Sequence, residues 1–284
     1  MVSSATTRVR MERSTTMGVV VAVVNQKGGV GKTTVLLGLA SAGWAAGKRV
    51  LVVDADPQAN ATWALGLEPE GVVFGVSRAV LAGRSGAAKR AICPSTWPQG
   101  PGSVDVLPGS GDLIDREIEV GKRKLARRLR KALEGVHEQY DLVLIDCSPA
   151  LGQMTTNALA AADFALIVVE LAALSARGVA AVSDLIDGVW EQHNEELDIA
   201  GVVVNRVPNQ SGEADRQREV LGRMLGRKTI WSPEIPQRTV IAEAISNRVP
   251  LHAMGQRGAE SAELFDQLYR KLMVLGRKKD RSKA

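Results

Sequence analysis

The stretch VVVAVVNQKGGVGKTTVLLGLASAGWAAG, residues 19–47, constrains the fold more than any other part of the chain. A short β-branched run reads as a buried strand, and the apolar period of 3.6 that follows reads as a helix. Between them lie Gly28, Gly29, Val30, Gly31, Lys32, Thr33 and Thr34. Glycines let backbone N–H groups curl around an anion without Cβ obstruction, and the new helix points its positive end at it. In a G-x-x-x-x-G-K-[ST] loop the lysine, here Lys32, reaches the β and γ oxygens of a nucleotide, and the hydroxyl of Thr33 can bind Mg2+. Two letters depart from the pattern: Gln26 stands where the first glycine belongs, and a second lysine, Lys27, enters the loop.

The strand-then-helix alternation repeats. VLVV (50–53), VDVL (104–107), LVLI (142–145), FALIVV (164–169) and IAGVVV (199–204) are short and nearly continuously apolar, as strands buried on both faces are. With helical stretches such as RGVAAVSDLIDGVWEQH between them, the expected class is α/β: a doubly wound, mostly parallel sheet with helices on both faces, binding its ligand at the carboxyl ends of the strands. Residues 68–102 are rich in Gly, Ala, Ser and Pro and have the weakest periodicity. The expected organisation is a flexible basic tail over 1–16, one domain over 17–275 and a basic tail over 276–284.

Acids stand at two of these strand ends, Asp54 and Asp56 in VLVVDADPQANAT and Asp146 in YDLVLIDCSP. Phosphoanhydride hydrolysis needs a carboxylate to hold the water shell of a metal and a group to position the attacking water. Asp146 suits the metal and Asp56 the water. A strand-end aspartate that merely caps the next helix is the competing reading for either alone.

The net charge is +5, but its location matters more. From Arg270 to Ala284 seven Lys/Arg face one acid, so the rest of the chain sums to about −1. KRKLARRLRK, Lys122–Lys131, carries seven more cations, with Leu125, Leu129, Ala132 and Val136 forming a buried stripe beneath them. Such blocks fit a polyanion, or simply a solvated helix face. Two cysteines, Cys93 and Cys147, and three scattered histidines supply neither a disulfide framework nor a zinc site, so a reducing, cytoplasmic compartment is expected. The arginines before MGVVVAVV mimic a secretory signal, but the apolar run leads into the phosphate loop, not into a cleavage site.

KGGVGKTT, LVVDADPQANAT and YDLVLIDCSPALG together closely resemble the deviant Walker A ATPases of the ParA/MinD family, P-loop NTPases of the SIMIBI type, and most closely its ParA (Soj-like) partition branch. The likeness continues through LPGSGDLIDREIEV, VVVNRV and IPQRTVIAEAISNRVPLHAMGQRGAESAELFDQL. It implies ATP and Mg2+ as cofactors and a role for Lys27 as the signature lysine, which crosses a dimer to the partner's nucleotide. It also implies that Asp56 orients the lytic water and, with Thr33 and Asp146, belongs to the metal site. By the same resemblance Asn205 contacts the base and Pro236 lines the adenine pocket. Ser148, Gln237 and the VVELAALSARG segment depart from the family pattern, which bears on dimer, partner and DNA contacts.

The resemblance further implies an ATP-dependent homodimer that binds non-specific double-stranded DNA, is nucleoid-associated, and is released when a ParB-like partner stimulates a weak ATPase. It places the DNA surface in the C-terminal half, where Arg216, Arg218, Arg223, Arg227, Lys228, Arg238, Arg248, Arg270 and Lys271 are candidates. The rival is a MinD-like membrane or other cargo-positioning cycle, but GRKKDRSKA at the end has no bulky apolar residue for a membrane-seeking helix. An iron-protein-like reductase would need exposed, glycine-flanked cysteines that the chain lacks.

Overall fold

A computed structural model describes residues 18–113, 126–171, 176–208 and 212–283. The N-terminal tail, the first half of the Lys122–Lys131 block, most of DLIDREIEV and residues 172–175 of VVELAALSARG lie outside them.

The strands are β1 (Val19–Val24), β2 (Arg49–Ala55), β3 (Cys93–Pro94), β4 (Ser103–Leu107), β5 (Leu142–Cys147), β6 (Phe164–Glu170) and β7 (Asp198–Asn205). They form one sheet in the order β3-β4-β2-β5-β1-β6-β7. All neighbours run parallel except β3, which opposes β4. The helices are α1 (Lys32–Ala45), α2 (Asn60–Ala64), α3 (Val76–Ala82), α4 (Arg128–Leu133), α5 (Gln153–Ala161), α6 (Ala176–Gln192), α7 (Gly212–Leu225), α8 (Thr239–Ser246) and α9 (Gln256–Lys283).

Because the strands are nearly continuously apolar, both faces of the sheet must be covered. On one face Val80, Leu129, Leu133, Leu159, Ile186 and Leu221 from α3 to α7 meet Leu51, Val53, Val143 and Ile145. On the other, Leu36, Leu39, Ile241, Phe265, Leu268 and Leu272 from α1, α8 and α9 meet Val21, Val52, Leu144 and Leu166. The stripe Phe265, Leu268 and Leu272 is therefore core and packs on the sheet, as its periodicity allows. Phe265 is fully buried. Burial of such a ring stabilises by about 1.5–3 kcal/mol. It sits so close to α1 that a Cβ on Gly38 would come within 2.2 Å of it.

Two features depart from the sequence reading. β3, inside the weakly periodic 68–102 segment, is too short for alternation to reveal it. The expected boundary at 275 coincides with no break, since α9 continues to Lys283. Gly276 lies against Val19, and the Lys279 ammonium donates to the Asp163 carbonyl at 2.9 Å and covers the Phe164 ring at 4.9 Å. These contacts fix the start of the basic stretch as the last turns of a packed helix. Among the described residues no helix is long and apolar enough to cross a membrane.

Candidate functional site

The carboxyl ends of β1, β2, β5 and β7 converge on an open cleft of about 400 Å³. Its floor is the loop between β1 and α1. Gly29 and Gly31 adopt φ of 81° and 86°. L side chains rarely adopt that region, so a residue other than glycine would be strained there. The Asn25 side-chain amide donates to the Val168 carbonyl on β6 and its oxygen accepts from the Lys27 amide at 2.9 Å, fixing the loop's entry. Lys27 itself stands at the exposed rim.

The loop's far side is held from β7. The buried Asn205 amide donates to the Val30 carbonyl at 2.9 Å, and a Cβ at Gly31 would strike it at 2.2 Å. Arg206 follows with φ of 53°, donates to the Gly29 carbonyl at 2.6 Å and lies 3.8 Å from Glu170. Arg206 is visible in the sequence as part of VVVNRV, but nothing local marks an arginine as a loop clamp. Pro236 does not reach this cleft. It pairs with Val207 beyond the end of β7, where Ile235 joins Val204 through its amide at 2.9 Å.

At the cleft floor Thr33 Oγ1 donates to Asp146 Oδ2 at 2.6 Å. Asp146 Oδ1 is buried with no hydrogen-bond partner. Lys32 is buried beside it, its pKa lowered by burial, with the Asp146 carboxylate opposing that shift. Burial and the neighbouring Asp54 push the Asp146 carboxyl well above its ordinary range. An orphaned carboxylate oxygen beside a threonine hydroxyl is a donor set of hard oxygens short of one cation, and Mg2+ fits it. Asp56, 7% exposed, opens to the cleft and accepts from the Gln58 amide at 2.9 Å.

Asp54 is paired in register with Asp146, fully buried, and its carboxyl is raised to about 6 by burial. It accepts from both the amide and hydroxyl of Thr62 at 2.7 Å, while the Thr62 hydroxyl accepts from Gly109 at 2.9 Å. Asp54 thus anchors the turn carrying Asp56 to α2. Trp63 on α2 lines the cleft and carries the Arg248 guanidinium 4.4 Å above its ring.

The C-terminal cations do not form one set. Arg218 is held by Glu234 at 2.6 and 2.8 Å and by Asp215, and Arg248 pairs with Glu68 at 2.8 Å. Arg238 lies 3.2 Å from Glu260 and Arg270 3.6 Å from Glu263. Arg223 has Glu219 at 3.7 Å. Arg227, Lys228 and Lys271 are exposed and have no ion pair among the described residues.

A mostly parallel sheet whose first strand feeds a glycine loop and a buried lysine, with aspartates at the ends of the adjacent β5 and of β2 beyond it, defines a P-loop nucleotide-binding protein. The AAA domain family model matches residues 18–199. The chain is 34% identical to the sporulation initiation inhibitor protein Soj of Bacillus subtilis over 86% of its own length and 95% of the relative's. With the chromosome partitioning protein ParA of Myxococcus xanthus it shares 32% over 87% and 86%. The chain belongs to the ParA/Soj family of partition ATPases. Its fold is also that of cobyrinic acid a,c-diamide synthase of Mycobacterium smegmatis, solved with an ATP analogue and magnesium (TM-score 0.75, 26% identity, 89% and 93% covered). An ATP complex of McdA from Cyanothece shares the fold too (TM-score 0.78, 20% identity, 91% and 97% covered).

Proposed function

We propose that this chain is a Mg2+-dependent ATPase that dimerises on ATP, binds non-specific duplex DNA on the nucleoid as a dimer, and is released when a ParB-like partner stimulates its slow hydrolysis. The observation that carries the nucleotide part is the unpartnered Asp146 oxygen beside Thr33 and Lys32. The ATP analogue and magnesium in the Mycobacterium smegmatis relative support the same cofactors.

The glycine loop wraps the phosphates with backbone N–H groups. Lys32 would offset their charge, and the Thr33 hydroxyl and the Asp146 carboxylate are the groups that would hold Mg2+. A magnesium ion bound there would neutralise charge developing on the β and γ oxygens. Asp56 points into the cleft to orient the attacking water. Lys27, exposed beside the loop, would reach a facing subunit, so that pairing and triphosphate occupancy reinforce each other. The family resemblance assigns Asn205 and Pro236 to the base side, although in this structure the Asn205 amide holds the Val30 carbonyl and Pro236 lies outside the lining of the cleft.

Light scattering with a non-hydrolysable ATP analogue and with ADP, run alongside DNA co-sedimentation, tests this reading. Dimer mass and DNA retention with the analogue alone are expected. The same monomeric mass with both nucleotides would overturn it.

A further inference from the structure

Between Gly71 and Val104 the chain carries four cations, Arg78, Arg84, Lys89 and Arg90, and no acid. This stretch folds onto α4, whose own segment from Ala126 to Leu133 adds Arg127, Arg128, Arg130 and Lys131, again with no acid. The Gly86 amide donates to the Lys131 carbonyl at 3.2 Å, and a Cβ at Gly83 would collide with the Arg128 guanidinium. Beneath them Ala79, Val80, Ala88, Leu129 and Ala132 share one buried cluster. Burying these small apolar residues turns the charges outward: Arg78, Arg84, Lys89, Arg90 and Lys131 are all exposed.

No ion pair among the described residues engages Arg78, Arg84, Lys89 or Lys131, in contrast to Arg218, Arg238 and Arg270. Glu134, just past α4, is the exposed acid at the rim. Arg127 and Arg130 belong elsewhere, since they line a cleft with Glu191, Glu195 and Glu196 at the end of α6.

We infer that the face built by α3, the turn Ala87–Arg90 and α4 is a second binding surface for the phosphate backbone of duplex DNA, separate from the C-terminal cations. Clustered like charges repel one another, and a polyanion removes that repulsion while releasing its own counterions. The cations come from three elements, and Phe74 lies 5.9 Å beneath the Arg90 guanidinium instead of standing open as a platform for bases, which suits backbone phosphates and gives no sequence readout. An anionic bilayer fits less well, because the large exposed apolar side chains near this face are Val73 and, in the cleft with Arg127 and Arg130, Trp190, too few for insertion. Val76 hydrogen-bonds to Pro108, so the face sits at the β4 edge, whereas Arg227 and Lys228 sit beyond β7. Five strand spacings separate β4 from β7. That is about 24 Å at ~4.8 Å per strand.

The inference rests on the DNA-binding reading above but not on its C-terminal residues. The test is the salt dependence of binding to a non-specific duplex, with ATP and the full chain, for wild type, R78Q/R84Q/K89Q/K131Q and R227Q/K228Q. The quadruple variant is expected to keep its basal ATP turnover, to bind about 1,000-fold more weakly at 0.1 M salt, and to lose about 3 from the slope of log K against log salt. An unchanged slope in that variant, with wild type bound to DNA, overturns this face alone. No binding by wild type overturns the DNA reading and this face with it. Retention on phosphatidylserine vesicles that the quadruple variant loses, with its DNA slope intact, reassigns the face to lipid and also overturns the inference.

Discussion

The nucleotide cleft and the C-terminal cation set are both nominated by the sequence, and the fold treats them in opposite ways. In the cleft, Gly28 to Thr34, Asp56 and Asp146 come from separate strands and meet, each with a partner or an aim. In the C-terminal half, Arg218, Arg238, Arg248 and Arg270 are drawn from a promising set into ion pairs with Glu234, Glu260, Glu68 and Glu263. The difference lies in how each is specified. A phosphate cradle is set by a contiguous loop between two regular elements, so its geometry is local. The availability of a surface cation depends on an acid that is 180 positions away in the case of Arg248.

The largest expected effect is at Lys32. K32A should lose ATP binding by at least about 100-fold, measured by calorimetry, because a charge-assisted contact to the phosphates disappears and leaves Asp146 uncompensated. Near-normal affinity would erase the contrast, since the cleft would then be no better specified than the surface. D56A should retain nucleotide while turnover falls about 100-fold or more, read by phosphate release under saturating ATP. Normal turnover would remove Asp56 from water positioning.

Smaller effects sharpen the comparison. N205A frees the Val30 carbonyl and the wall of the loop. ATP affinity should drop about tenfold, the equivalent of ~1.4 kcal/mol for one buried hydrogen bond. Within the C-terminal set, R227Q/K228Q should lower the salt slope of DNA binding by about 2, while R238Q/R270Q should change it by less than about 1 because those guanidiniums are already engaged. Equal slopes for the two pairs would mean that the ion pairs open on DNA and the contrast is one of the free protein only.

Tyr269 gives the smallest effect. Its hydroxyl is buried under α9 without a hydrogen-bond partner, and burial raises its pKa to about 12. The unfolded phenol ionises near 10, so between pH 10 and 12 the folded state holds a proton that the unfolded state has lost. Stability therefore falls as pH rises through that window. Y269F should flatten this decline in chemical denaturation and be neutral or stabilising by up to about 1 kcal/mol at pH 7.

Most of the fold is legible because its strands are nearly continuously apolar and its helices are striped, patterns that survive without any knowledge of neighbours. The acids belong to the strands themselves, as Asp54 and Asp146 show, which is how they reach one floor. What stays hidden depends on distant pairings. The family resemblance points Asn205 at the base, yet its amide is spent on the loop in this structure. Arg206 clamps Gly29 through a left-handed backbone that no propensity signals. The grouping of Lys131 with Arg84 and Lys89 requires α4 to dock beside a segment with almost no period of its own.

Lys279 rests on Phe164, the first residue of β6, at the edge of the sheet where every parallel strand begins. The strand is seven residues long, which sets that point about 23 Å from the end where the phosphates would sit. A fluorophore or affinity handle fused after α9 would hang on the side away from the cleft, so reporters of turnover and pairing can be attached there without obstructing either.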